Sequence, residues 1–458
     1  MTAIDRRKFL LRMAVGGGLA PSLQGLVAYG QRAPSSEGGR PTARAGAGAY
    51  GPLIPAGPEL ALPEGFTYVT IGIEGSMMSD GNATPRAHDG MAAFALPNGN
   101  IRLVRNHEDR NSPTNATLNG RPETAYDVRG GGGTTSLEIR IRPDGTRELV
   151  RDFVSLNGTA FNCAGGPTPW GTWLSCEETT EGIARGWGRP HGYVFEVDAG
   201  ADGPAMAVPI KGMGRFTHEA VAIDPATGTV YLTEDAHTAG FYRYIPTEPG
   251  RLLAGGRLQM LAVARNPHFI TANGQSVGRT RAVTWIDIDD ADPEAAEANP
   301  STVFADGFGR GAALFSRLEG CWYGDGSVYF NATDGGDARL GQVWQYRPTE
   351  PDGGELTLLF ESPSADVLDS PDNITVSPRG GLVICEDNSG AYVRGLTPQG
   401  EIFDLARNIF NDREFAGACF SPDGSTLFVN VQGDTAVRGP GDLGRTFAIW
   451  GPWETGAL

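Results

Sequence analysis

Short apolar runs alternate with turn residues through almost the whole chain, and no long stretch carries helical periodicity. The run AVAI (220–223) meets TVYLTED (229–235) across Asp224-Pro225-Ala226-Thr227-Gly228. The same form recurs in SLEIRIRPDGTRELVRDF (136–153), GDGSVYFNAT (324–333), ITVSPRGGLVICED (374–387) and FSPDGSTLFVNV (420–431). Turns built on Asp, Pro and Gly between strands rich in Val, Tyr and Phe predict β-hairpins. Only residues 290–299 (DADPEAAEAN) look helical, and they read as a short insertion.

A second element also recurs, a short aromatic strand: YVFEVD (193–198), FYRYIP (241–246), VWQYRP (343–348) and FAIWGP (447–452). Hairpins followed by aromatic strands, repeated along one chain, are the pattern of propeller blades. The spacing is irregular, so the repeats are degenerate and carry long, irregular loops. The expected fold is an all-β propeller forming a single domain over residues 51–458. A pair of β-sandwiches is the alternative, and the blade-like repetition of aromatic strands argues against it.

The N-terminus changes the picture. Arg6-Arg7-Lys8-Phe9-Leu10 precedes a modest, Gly-containing apolar run, as in a twin-arginine (Tat) export signal. That run is too short and too rich in Gly to span a bilayer. Residues 1–30 are read as the signal and 31–50 as a flexible leader rich in Ser, Gly, Ala, Arg and Pro. The expected mature protein is exported by the Tat machinery to the periplasm or beyond, without stable membrane insertion. A monomer is expected.

Composition narrows the chemistry. The formal charge of −17 argues against nucleic acid as a partner and suits cation binding. An anionic substrate would need local positive charge from metals or Arg. With six His and no Cys/His zinc spacing, a metal site must rest mainly on carboxylates and carbonyls. Five Cys leave at least one unpaired, and Cys163 sits in a Gly/Pro-rich segment beside Glu177 and Glu178. Such backbone lets a thiol approach a metal closely, although a free Cys is also a common small core residue.

Polar clusters fall at the expected strand ends: 78–81, 88–91, 105–109, 217–220, 233–235, 316–320, 369–373 and 385–388. In a propeller such positions face the central channel or a rim, where carboxylates can converge. Taken singly, each is equally a solvated strand end or a turn, and His107 and His218 are equally satisfied core histidines. GxxxxGK[ST] and HExxH motifs are missing, and Gly130–Thr135 opens a strand rather than a helix.

In order along the chain, LPEGF (62–66), SDG (79–81), HDGMA (88–92), RNHED (105–109), YDVRGGGGTTSLEI (126–139), NCAGGPTPWGTWLSCEE (162–178), GRFTHEAVAIDPATGTVYLTED (214–235) and FSRLEG (315–320) resemble the PhoX-type alkaline phosphatases. The resemblance implies a six-bladed propeller whose channel holds Fe(3+) and Ca(2+), and an enzyme hydrolysing small-molecule phosphate monoesters. It implies an iron-ligating thiolate at Cys163 and a bridging carboxylate at Glu219. It also implies an Arg317/Glu319 pair at the phosphate, with Glu319 a metal ligand as well. Glu108, Glu177, Asp372 and Glu386 complete the expected ligand set. Two other readings stay open on the residues alone: a calcium-dependent propeller lactonase or arylesterase, and a non-catalytic, calcium-stabilised binding propeller.

Overall fold

The computed structural model describes residues 48–349, 352–436 and 441–458. The predicted export signal and most of the leader lie outside the described residues. Tyr50, at the end of that leader, is already part of the fold. It is buried against Phe66, Phe403 and Trp453, and its hydroxyl donates to the Trp453 carbonyl at 3.0 Å.

The structure is all-β, as the hairpin pattern predicts. Four antiparallel strands, His88–Ala95, Ile101–His107, Gly132–Ile141 and Arg147–Thr159, make the first sheet. Asn162–Pro167, Thr172–Glu177 and Val194–Asp198 make a three-stranded sheet. Two meanders follow, one beginning at His218–Ile223 and the other at Leu318–Gly324. They merge into one nine-stranded sheet because Thr280–Asp287 pairs with Gly353–Glu361. Among the described residues, hydrogen bonding therefore yields five sheets.

The innermost strands reveal the symmetry. His88–Ala95 packs beside Asn162–Pro167, then His218–Ile223, Leu318–Gly324, Pro371–Val376 and Phe415–Phe420 follow in turn, and the last returns to the first. This closed ring of radially arranged meanders is a propeller. Thr67–Ile71 pairs with Arg445–Trp450, so strands from opposite ends of the chain share the closing sheet. Hydrophobic clusters fill the space between neighbours. One joins Leu174 and Val194 to Val221 and Leu232, and another joins Val383 and Phe403 to Val429 and Phe447.

Local chemistry accounts for the elements. Inner strands are buried on both faces, which is why they read as continuous small or apolar runs rather than alternating ones. The 224–228 turn is held by Asp224, which accepts from the Ala226 amide at 2.9 Å, and Gly228 takes φ +73°. The acidic 290–299 patch forms only a 3-10 turn, Glu294–Glu297. An α-helix lies just beyond it, at Thr302–Gly309, where Val303 and Phe304 have Met260 and Ile288 to pack on.

Candidate metal centre

Every innermost strand carries a β-bulge at the same place. Pairing with the second strand slips between His88 and Met91, Asn162 and Gly165, and His218 and Val221. It slips likewise between Leu318 and Cys321, Pro371 and Ile374, and Ala416 and Cys419. A bulge breaks the two-residue alternation and re-aims a side chain. The first bulged residue is in turn Asp89, Cys163, Glu219, Glu319, Asp372 and Gly417. Five of these carry a metal-ligating side chain, and in four of the five the next residue is Gly or Ala, Asn373 after Asp372 being the exception.

Their ligand atoms converge. Asp89, Glu108 and Cys163 form one group, Cys163, Glu178 and Glu219 a second, and Glu219, Glu319 and Asp372 a third. Within each group the atoms lie within 4.8 Å of one another. Cys163 and Glu219 each belong to two groups, so the three merge into one continuous cluster. Glu108 and Glu178 come from a second tier: each follows the last residue of its sheet's second strand.

The cluster is under strong like-charge stress. Burial, then Asp89, Glu219 and Glu108, push the Cys163 thiol well up. Burial, with Glu319 and Asp372 next, raises Glu219. Burial and Asp387 raise Asp372 to about 8. Asp89 and Glu319 rise for the same reasons. The Cys163 Sγ lies 3.2 Å from Glu219 Oε1, while Glu219 Oε2 is buried without a hydrogen-bond partner. A buried, unpartnered carboxylate oxygen among other carboxylates is the environment that a hard cation relieves. The donor set therefore fits metal, with one soft thiolate among hard oxygens.

Two arginines border the cluster and line the same cavity of about 550 Å3. Arg110 pairs with both Glu108 and Glu178. Arg317 holds Asp235 through two hydrogen bonds, at 2.9 and 3.0 Å, and reaches Glu319 Oε1 at 2.6 Å. Its backbone takes φ +43°, a left-handed conformation immediately before the innermost strand. The cavity thus presents a fork-shaped cation beside a dense anionic cluster, the arrangement needed to hold a phosphoryl group once the carboxylates are neutralised.

The family profile for alkaline phosphatase PhoX matches residues 48–434. The chain belongs to the PhoX alkaline phosphatase family. It is an enzyme, a phosphoric monoester hydrolase, as the family resemblance of its sequence implies. Among solved structures, Pseudomonas fluorescens PhoX in complex with vanadate, a transition state analogue, superposes with a TM-score of 0.66 at 20% identity. It covers 89% of this chain and 98% of that one. A gluconolactonase from Xanthomonas campestris is far more distant, with a TM-score of 0.36 at 12% identity over 87% of this chain and 99% of that one. None of the curated proteins matches.

For this PhoX family member the structure brings together most of the ligands read from sequence: Cys163, Glu219, Glu108, Glu319 and Asp372 converge. Glu177 and Glu386 stand apart from these groups. Glu177 accepts from the His191 imidazole at 2.6 Å and from the Ala160, Gly192 and Tyr193 amides. Glu386 pairs with Arg394 at 2.9 Å and accepts from the Asp369 and Tyr392 amides. Both side chains are fully engaged in anchoring loops. The reason is strand parity: neighbouring side chains point to opposite faces, so Glu178 takes the inward direction and Glu177 cannot. Asp89 and Glu178 were not among the expected ligands. The signal for Asp89 was the repeated pairing of a polar residue with a small one near each strand start: Asp89-Gly90, Cys163-Ala164, Glu219-Ala220, Glu319-Gly320.

Proposed function

We propose that the channel cluster is a mixed iron–calcium centre at which the enzyme hydrolyses phosphate monoesters, and that the ring of innermost strands makes six blades. The observation that carries the metal reading is Glu219, buried, shared by two ligand groups, and left with one oxygen unpartnered. Cys163, Glu178 and Glu219 would hold ferric iron, the thiolate being the soft ligand. The carboxylates of Asp89, Glu108, Glu319 and Asp372 suit calcium. Bound cations supply neutralising charge for the phosphoryl oxygens and acidify water.

The chain's own residues then do the rest. Arg317 offers two guanidinium N–H groups to phosphoryl oxygens, and Asp235 holds the fork in position. Arg110 restrains Glu108 and Glu178 from the other side. Tat export to the periplasm fits the twin arginine, since that route delivers folded, metal-loaded chains. Among the described residues no helix is long and apolar enough to cross a membrane.

Elemental analysis of the natively exported protein, with turnover of a generic phosphomonoester, tests the proposal. Iron and calcium should both be present, and a thiolate–iron charge-transfer band should colour the protein. Cys163→Ala should lose colour, iron and turnover together. A colourless, iron-free wild type at full activity would refute the iron assignment.

A further inference from the structure

The backbone at four of the five ligand bulges is gripped from the neighbouring meander. Asn106 donates through Nδ2 to the Cys163 and Ala164 carbonyls, at 3.1 and 2.7 Å. Thr233 donates to the Glu319 carbonyl at 2.6 Å, and Asn331 to the Asp372 carbonyl at 2.7 Å. Asn430 donates to the Asp89 carbonyl at 2.5 Å. Each donor sits on the second strand of one meander, and its acceptors lie in the ligand bulge of the next meander around the ring.

The placement repeats. Asn106, Thr233 and Asn331 occupy the single position opposite their own sheet's bulge, between the two pairs that flank the slip. Asn430 is offset by one and pairs with Ala416. These side chains are buried, and Thr233 and Asn430 are also tied back into their own meanders, Asn430 by accepting from the Thr446 hydroxyl. The Thr233 hydroxyl accepts from the Ala220 amide at 3.0 Å, inside the bulge that presents Glu219. The Asn106 Oδ1 accepts from Trp173 Nε1 and Ser175 Oγ at 2.8 and 2.9 Å. One Thr thus couples two ligand bulges, and one Asn fixes the Cys163 turn to two strands.

We infer that Asn106, Thr233, Asn331 and Asn430 form a brace between neighbouring meanders that fixes the spacing of the ligand bulges, acting as positioning residues for the metal centre. The inference rests on the metal reading above for its consequence, but the brace itself is a property of the protein. Bulge backbones lie outside the regular ladder, so without these bonds nothing in the strand pairing sets the distance from one ligand to the next. Carboxylates that repel one another also push their bulges apart, and a fixed ring opposes that. Partners one shell outside a metal's ligands typically change its affinity by about 10- to 100-fold.

Thr233→Val removes the hydroxyl and keeps the shape, whereas Thr233→Ser keeps the hydroxyl. Asn331→Leu tests a second, independent brace. Gln345→Leu is the control: Gln345 is also buried but donates to Ser327 and Tyr329, which pair with Gly324 and Trp322 beyond the bulge. In natively exported holoenzyme, Thr233→Val and Asn331→Leu should release iron and calcium to a chelator about 10- to 100-fold faster than wild type. Thr233→Ser should stay near wild type, and Gln345→Leu should lower the thermal midpoint without speeding release. In metal-stripped protein, amide hydrogen exchange across 318–321 should quicken in Thr233→Val and not in Thr233→Ser. That second readout holds whether or not iron and calcium are the native metals. Unchanged exchange in Thr233→Val, or metal release no faster than in Gln345→Leu, would overturn the brace. A wild type without metal but with the exchange difference would refute the metal reading instead.

Discussion

Arg317 lies between two carboxylates, and its fork rather than its charge alone is what fits a phosphoryl group. Arg317→Ala should keep the metals and lower kcat/KM by roughly two to three orders of magnitude, as for loss of one preorganised transition-state partner. Arg317→Lys should restore little of this. Wild-type kinetics in both variants would remove Arg317 from the phosphate site. Neighbouring Glu177 and Glu178 divide structure from chemistry. Burial alone would lower the His191 pKa, but Glu177 and Asp127 override it and raise it to about 9. Stability from this imidazolium is therefore fully present below the unfolded value near 6.5, and it fades as pH rises through about 9. The shift corresponds to about 3 kcal/mol. His191→Gln should thus lower the thermal midpoint at pH 7 and flatten its decline toward pH 9 and above. Glu178→Gln should cut turnover with little change in midpoint. A midpoint in His191→Gln that still falls as steeply across that range as in wild type would refute the charged triad. Which of two adjacent glutamates faces the channel was not legible in the sequence, because parity depends on register and register on the bulges.

The strand with its bulge is the unit that makes the site. Hairpin turns and aromatic strands were readable because their chemistry is local: FYRYIP coincides with the strand Phe241–Pro246, and the 224–228 turn holds through Asp224. Bulges were not readable, since each is a slip between two strands that only their pairing reveals. The polar–small dipeptides were their trace, and only the superposed strands give the dipeptides a common position. The small residue has a packing reason. A Cβ on Gly320 would sit 2.6 Å from the Asp372 carbonyl oxygen and from the Ile374 amide nitrogen, both backbone atoms of the next inner strand. Gly320→Ala should therefore cost about 1–3 kcal/mol through overpacking, and loosen metal held by Glu319 and Asp372. Denaturant melts paired with metal analysis would check it. An unchanged midpoint with full metal content would show that the inner strands tolerate separation here.

At the scale of the molecule, a closed ring brings residues from 89 to 372 to one axis, which no local segment could do. Closure by Thr67–Ile71 against Arg445–Trp450 keeps the inner strands in fixed order, and the cores between sheets carry the stability. The axis is therefore free to hold groups that destabilise one another. The sequence made the cation-binding character legible through its charge and its shortage of His. The merging of three ligand groups into one depends on Cys163 and Glu219, which only the folded ring places between neighbours. The metal content of Glu219→Gln, measured against wild type on natively exported protein, tests this most directly. The substitution keeps volume and removes the charge shared by two groups. Loss of at least one metal equivalent and nearly all phosphomonoesterase activity, with the β-sheet circular dichroism intact, is the expected result. Full metal content and full activity in Glu219→Gln would contradict the shared cluster.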